Sequence, residues 1–327
     1  MKQICDASLG MHMLEIEITH RCNLDCKMCY ITEKSQTDMS LETIKQLIDF
    51  VFENYVAYLV VTGGEALLHP EFSGISEYLQ KLDKSNRTKV VLHSNSTVIN
   101  DNTLQFLKPF DLIHLSFDMV DFLRRKINHI LNKVNFLKEA GINCYLFATI
   151  HKGNMHLINE IVKISQEKKI NLGFNIMQPN SNSREYALSK KEFWETSKKI
   201  FELEKQDIIL RYSCPLTAIL ADKKLEDYNG VQGGCTAGIA SCSVLPNGDV
   251  VPCPFFRIKA GNINYDSLDN IWLNSDLFAV LRDRTEYDEP CGFCKYLSFC
   301  GGCRSRAYKK YKSLTACDPM CPFNEEE

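Results

Sequence analysis

From Met13 onward, short apolar runs alternate with amphipathic stretches. The runs Leu14 to Thr19, Tyr58 to Thr62, Lys89 to His93, Leu112 to Phe117, Asn143 to Ile150 and Leu172 to Met177 are brief and rich in Val, Ile, Leu or Phe, and read as strands. Between them, Leu41 to Asn54, Glu71 to Leu82, Asp101 to Leu107, Phe122 to Ala140, Met155 to Lys168 and Lys190 to Lys205 repeat apolar residues at helical spacing, with Ser40 and Asn100 placed to cap two of the helices. Six strand–helix units in succession predict an α/β chain around a mostly parallel sheet.

Beyond about residue 210 this period breaks. Ser243-Val244-Leu245 and Val250-Val251 flank Pro246-Asn247-Gly248-Asp249, the pattern of a β-hairpin, and a helix is expected over Ser267 to Leu281. The remainder is cysteine, glycine and aromatic residues with few long apolar stripes, so its stability is expected to come from bound metal rather than from a core.

Length and composition narrow the function. The 327 residues are 45% hydrophobic and 24% charged with a net charge of -3, a balance that gives no general attraction to nucleic acid or anionic lipid. No stretch approaches the length of a membrane span, and Met1 to Gly10 lacks the apolar segment of a signal peptide, so a cytoplasmic location is expected. The 15 cysteines, five before residue 150 and ten after residue 213, are an odd number in a chain without an export signal. They point to metal rather than to disulfides.

Cys22, Cys26 and Cys29 follow the first strand directly, on the loop at its C-terminal end, which is the reactive face in barrel-like α/β folds. Three thiolates so spaced suit a four-iron cubane that keeps one iron open; a zinc site or inert buried cysteines are the alternatives. The second strand ends in Thr62-Gly63-Gly64-Glu65. Its glycines permit close backbone approach, and Glu65 offers an acceptor for a ligand ammonium.

These residues together resemble the radical SAM superfamily, across roughly Leu14 to Lys205. The resemblance implies a partial (β/α)6 TIM-like barrel that binds S-adenosylmethionine on the open iron and generates a 5′-deoxyadenosyl radical able to abstract hydrogen from an unreactive C–H bond. It implies Cys22, Cys26 and Cys29 as cluster ligands, Tyr30 near the adenine, Gly63, Gly64 and Glu65 at the methionyl amine, and Asn95, Ser116 and Asp118 as contacts to carboxylate and ribose. Read without the family, Asn95, Ser116 and Asp118 are equally strand-end caps or turn residues. Ala66 stands where the family usually has proline.

Later in the chain Cys235 is followed by twelve residues, Gly248, four residues and Cys253, and then come Cys291, Cys294, Cys300, Cys303, Cys317 and Cys321. Five residues between the pairs Cys291/Cys294 and Cys300/Cys303 are too few for a zinc ribbon. From about Gly234 to Pro322 the pattern resembles the SPASM extension of radical SAM enzymes, including Gly261-Asn262-Ile263, Leu268, Ile271-Trp272 and Leu281-Arg282. Cys300-Gly-Gly-Cys303 is one residue shorter than the family's spacing. The resemblance implies a radical SAM domain over 1–210 and a SPASM domain over 211–327. It also implies three [4Fe–4S] clusters, one SAM-binding and two auxiliary. One auxiliary cluster would sit on Cys291, Cys294, Cys300 and Cys321, the other on Cys235, Cys253 and Cys303. For the last, Cys214, Cys242 and Cys317 are candidate fourth ligands, Cys214 preferred, with an open iron as the alternative. Cys144, Cys242 and Cys317 are candidate hydrogen-atom donors or simply buried apolar side chains.

The eight histidines form no HxxxH or HxH pair, and the basic run Arg304, Arg306, Lys309, Lys310 and Lys312 reads as a solvated face, or as a surface recognising carboxylates. Three functions follow. The first is maturation of a ribosomally made peptide by crosslink, thioether or epimerisation, with a flavodoxin or ferredoxin as reductant. Only 21 residues precede Cys22, so either a separate leader-binding protein or direct recognition of the peptide is expected. The second is the same chemistry on a small molecule, such as oxidative decarboxylation of a tetrapyrrole side chain. The third is a multi-cluster electron carrier or zinc scaffold without SAM chemistry, which would not need the Gly63-Gly64-Glu65 pocket.

Overall fold

The computed structural model describes residues 10–32, 36–83, 87–117, 123–180, 182–204, 210–212, 214–222 and 234–325. Six strands run parallel, β1 Met13–Thr19, β2 Tyr58–Gly63, β3 Lys89–Ser94, β4 Leu112–Ser116, β5 Cys144–Ile150 and β6 Leu172–Ile176. Each is followed by a helix: α1 Leu41–Glu53, α2 Phe72–Lys81, α3 Asp101–Leu107, α4 Leu123–Glu139, α5 Ile158–Lys168 and α6 Lys190–Glu204. The expected αβ alternation is present, and Ser40 and Asn100 cap α1 and α3 through their side chains.

The strand period of two decides which side chains enter the barrel. On β1, Leu14, Ile16 and Ile18 are fully buried in the apolar core, where Ile44, Leu47, Ile48 and Val51 of α1 also lie. Glu15, Glu17 and Thr19 alternate with them and point to the opposite face. In the same way Leu92, Leu115 and Leu146 join the core, while His93, His114 and Tyr145 line the inner wall.

Four further strands extend the sheet. β7 Leu210–Tyr212, which the sequence pattern did not signal, pairs parallel to β6. The expected hairpin is β8 Ser241–Val244 and β9 Asp249–Val251, with Gly248 in the left-handed region at its turn (φ 86°) and β10 Gly261–Asn262 beside β9. β8 lies parallel to β1, so the sheet runs β10-β9-β8-β1-β2-β3-β4-β5-β6-β7. Its two edge strands, β10 and β7, do not pair with one another among the described residues.

Three expectations need correction. The helix expected over Ser267 to Leu281 is two, with α7 Thr217–Leu220 preceding them: α8 Leu268–Asn274 and α9 Asp276–Arg282. They break at Ser275, whose extended backbone ends one helix and begins the next while its hydroxyl donates to the Ala260 carbonyl. The cysteine-rich region is not coreless, because Trp272, Phe278, Leu281, Tyr287 and Phe299 are buried in one apolar cluster with the barrel. The basic run is a solvated face only at its lysines. It forms α10 Arg304–Tyr311, in which Arg304, Ser305, Arg306 and Ala307 are buried and only its C-terminal lysines are exposed.

Candidate functional site

The site is built at the C-terminal ends of β1, β2 and β3. The chain leaving β1 is fixed by Asp38, which accepts from Thr19 Oγ1 at 2.6 Å and from Arg21 Nε at 2.8 Å. It is fixed again by β2, since Gly64 N donates to Thr19 O at 2.8 Å and Glu65 N to Arg21 O at 2.7 Å. A Cβ on Gly63 would lie 2.3 Å from Thr19 O, and one on Gly64 would lie 2.3 Å from Arg21 O. Both glycines are therefore required by the strand that launches the cysteine loop.

Cys22, Cys26 and Cys29 follow within that loop, with Cys26 exposed and the other two half-buried. Leu24 N approaches Cys22 Sγ at 3.4 Å, and Asn95 Nδ2 approaches it at 3.8 Å. Glu65 is almost wholly buried and accepts from Ser94 Oγ, Asn95 N and Leu67 N. Burial raises its pKa, and these hydrogen bonds work the other way. Asn95 therefore joins the Glu65 corner to the cysteine loop, reinforced by Asn23 and Thr97, whose side chains bond one another and Asn95. Ser116 is exposed at the end of β4 opposite Phe147; Asp118 lies outside the described residues.

Tyr30 meets the later part of the chain. Its ring packs edge-on to Phe255 at 5.2 Å, and the Arg257 guanidinium lies 5.5 Å from its centroid. Arg257 also donates to both carboxylate oxygens of fully buried Glu17, at 2.7 and 2.9 Å. Nearby Glu15 is pushed up to about 8, first by burial and then by Glu17, with Arg257 opposing. Asn180, after β6, donates to the Cys29 carbonyl at 2.7 Å. Across the inner wall, His114 Nδ1 and His93 Nε2 are 2.9 Å apart, and the His114 ring stacks on Phe147 and Tyr145. Burial lowers His93 to about 4.

The later cysteines fall into two groups. Cys291, Cys294, Cys300 and Cys321 line one pocket with Gly301 and Gly302. Gly302 N donates towards Cys300 Sγ at 3.3 Å. Cys317 lies against this group, its thiol shared with Cys291 and Cys321; that hydrogen bond is the main reason Cys291 is lowered to about 7. Burial pushes the Cys253 thiol up, and Cys235 and Cys303, close enough to act on it, push it the same way. Burial raises Cys300 to about 12 and Cys303 to about 11, a setting in which a thiol ionises only with a bound cation. Gly301 and Gly302, both left-handed at φ 61° and 60°, turn the chain so that Cys300 serves one group and Cys303 the other.

Cys214 lies 4.0 Å from Arg306 Nη2, and the Arg306 charge also acts on Cys303, so Cys214 approaches the Cys235 group from the side of α10. Cys144 and Cys242 sit in the apolar core. Among the described residues, no three His, Cys, Asp or Glu side chains converge as ligands of a single metal ion. No helix among the described residues is long and apolar enough to cross a membrane.

Sequence reasoning did not single out Asn23, Thr97, Asn180, Glu17 or Arg257. Of these only Glu17 carried a usable signal, an acidic residue on the alternating strand β1.

Comparison with known proteins bears on the same regions. Residues 16–163 match the family model of the radical SAM superfamily, and residues 235–295 match SPASM, an iron–sulfur cluster-binding domain. The chain is 24% identical to the AdoMet-dependent heme synthase of Oleidesulfovibrio alaskensis, covering 97% of this chain and 89% of the relative. It is 28% identical to the antilisterial bacteriocin subtilosin biosynthesis protein AlbA of Bacillus subtilis, covering 88% of this chain and 66% of AlbA. Its fold is similar to Streptococcus suis SuiB, in crystal structures bound to S-adenosylmethionine and to precursor peptide SuiA. Both give a TM-score of 0.77 at 18% identity, covering 95% of this chain and 77% and 76% of SuiB.

Proposed function

We propose, from the premise that this chain belongs to the radical SAM superfamily and carries a C-terminal SPASM domain, that it matures a ribosomally made precursor peptide by forming a crosslink or thioether or by inverting a stereocentre. The observation that carries the peptide reading is the open sheet, whose edge strands β7 and β10 do not pair with one another among the described residues. A polymer can keep both its ends outside while one residue enters.

When bound to a reduced cluster, S-adenosylmethionine supplies a 5′-deoxyadenosyl radical that takes a hydrogen atom from the substrate. The donor set fits such a group: three thiols on one loop, held from below by the Gly63-Gly64-Glu65 corner. In this reading Cys22, Cys26 and Cys29 hold the cluster. Gly63, Gly64 and Glu65 receive the methionyl amine, Tyr30 lies beside the adenine, and Asn95, Ser116 and Asp118 face carboxylate and ribose. Glu65, buried and already held by three protein donors, orients its carboxylate without rearrangement.

Two auxiliary [4Fe–4S] clusters complete a set of three, one on Cys291, Cys294, Cys300 and Cys321, the other on Cys235, Cys253, Cys303 and Cys214. The working division is a radical SAM domain over 1–210 and a SPASM domain over 211–327. A flavodoxin or ferredoxin reduces the first cluster, and a separate protein presents the peptide leader.

A second reading, radical chemistry on a tetrapyrrole side chain, is favoured by the flat stack of His93, His114 and Phe147 on the inner wall and by the similarity to heme synthases. The test is anaerobic incubation of the reconstituted chain with S-adenosylmethionine, reductant and either a deuterium-labelled precursor peptide or a labelled tetrapyrrole. Deuterium in 5′-deoxyadenosine from the peptide supports the first reading; transfer from the tetrapyrrole alone overturns it.

A further inference from the structure

Two buried arginines beside the auxiliary cysteines have nitrogens without hydrogen-bond partners among the described residues. Arg304 is wholly buried at the start of α10. Its Nη1 donates to the Leu314 and Ala316 carbonyls, and its guanidinium lies 4.4 Å from the Tyr287 ring centroid. Arg304 Nε and Nη2 have no hydrogen-bond partner among the described residues. Arg284 is 9% exposed. It donates through Nη1 to the Leu297 and Ser298 carbonyls and through Nη2 to the Cys235 carbonyl, and its Nε is likewise unpartnered.

Both lie against the same corner. A Cβ on Gly302 would meet Arg304 Nη2 at 2.9 Å, and one on Gly301 would meet Arg284 Nε at 3.0 Å. Those two glycines line the pocket of Cys291, Cys294, Cys300 and Cys321. Neither arginine has a carboxylate partner among the described residues. The contrast is Arg306, two residues from Arg304, whose Nε and Nη2 pair with the Asp318 carboxylate. An unpaired buried cation is costly unless an anion shares its burial, and a cubane on four thiolates is such an anion.

We propose that Arg304 and Arg284 are the counter-cations of the auxiliary clusters, with Arg304 Nε and Nη2 and Arg284 Nε donating to sulfur around the Gly301–Gly302 corner. Charge and hydrogen bonds at sulfur set the potential of an iron–sulfur cluster, so the pair raises the reduction potential of the cluster on Cys291, Cys294, Cys300 and Cys321. This inference rests on the proposed presence of that cluster.

The test is a redox titration, followed by EPR, of the fully reconstituted chain and of its Arg304→Gln and Arg304→Lys variants, with iron and sulfide counted in each. A more negative midpoint for one auxiliary cluster in Arg304→Gln, largely restored in Arg304→Lys with the other clusters unmoved, supports the proposal. Full loading with the same midpoints in all three chains overturns it and leaves the cluster assignment standing. Failure of wild type to load any auxiliary cluster overturns both. Should Arg304→Gln not fold, a crystal structure of the loaded wild type decides: the unpartnered nitrogens within hydrogen-bond reach of sulfur support the proposal, and the same nitrogens on ordered water overturn it.

Discussion

Replacing Gly64 by alanine tests whether the β2 corner holds the cysteine loop. The new Cβ would lie 2.3 Å from Arg21 O and 2.8 Å from both Arg21 C and His20 O. All three are backbone atoms, so no side chain can swing away, and the chain entering the loop must retreat by about 1 Å to reach ordinary contact. Gly64 N to Thr19 O and Glu65 N to Arg21 O, now 2.8 and 2.7 Å, cannot both survive that shift. Two backbone hydrogen bonds at about 1 kcal/mol each, with about 1 to 3 kcal/mol of overpacking, give a local cost of about 3 to 5 kcal/mol. That suffices to open the loop in most molecules if its own stability is of that order. Gly141→Ala is the control, because Gly141 has φ 71° but nothing within 4 Å of the added Cβ, so it carries only the backbone strain of about 1 to 2 kcal/mol. After anaerobic reconstitution, Gly64→Ala should lose about four irons per chain and its ability to cleave S-adenosylmethionine, while Gly141→Ala keeps both. Wild-type iron and cleavage in Gly64→Ala would refute the reasoning.

Three other expectations follow from buried charge. His93 is held near 4 against an ordinary value of 6.5, so the unfolded chain takes up its proton first as pH falls. Stability worth up to about 3 kcal/mol is lost between pH 6.5 and 4, and His93→Gln should flatten that limb in urea titrations. Glu15 has the opposite sign: its pKa is raised to about 8 from 4.5, so its contribution is lost as pH rises through 8. Glu15→Gln should then gain stability over wild type more at pH 8 than at pH 5, and an equal gain at both would count against it. Burial works to raise the pKa of Asp318, but Arg306 together with the hydrogen bonds from Cys303 N, at 2.7 Å, and Met320 N lowers it and keeps it ionised. Asp318→Asn leaves Arg306 unpaired and should cost about 3 to 5 kcal/mol in thermal or chemical unfolding.

The parallel sheet was legible because β1 to β6 and their helices carry local periodicities, and because the ends of β1 and β2 bear motifs of their own. What joins those motifs was not. Arg257 reaches Glu17 across 240 residues and Asn180 reaches Cys29 across 151, and no local pattern encodes such pairs. His93 and His114 meet only through the register of β3 on β4. The chain from Arg304 to Lys312 misled for a related reason. Its charges look solvated in one dimension, yet the turn at Gly301–Gly302 drives the first two arginines inward while the lysines stay outside. β7 has three residues, too few for its alternation to register.

The central claim is that this chain assembles iron–sulfur clusters and cleaves S-adenosylmethionine reductively, and one anaerobic experiment addresses it. The reconstituted protein is assayed for iron and sulfide, then given dithionite and S-adenosylmethionine and analysed for 5′-deoxyadenosine by mass spectrometry. The account predicts about twelve irons per chain, from three cubanes, together with 5′-deoxyadenosine. Bound zinc with S-adenosylmethionine left intact would contradict it.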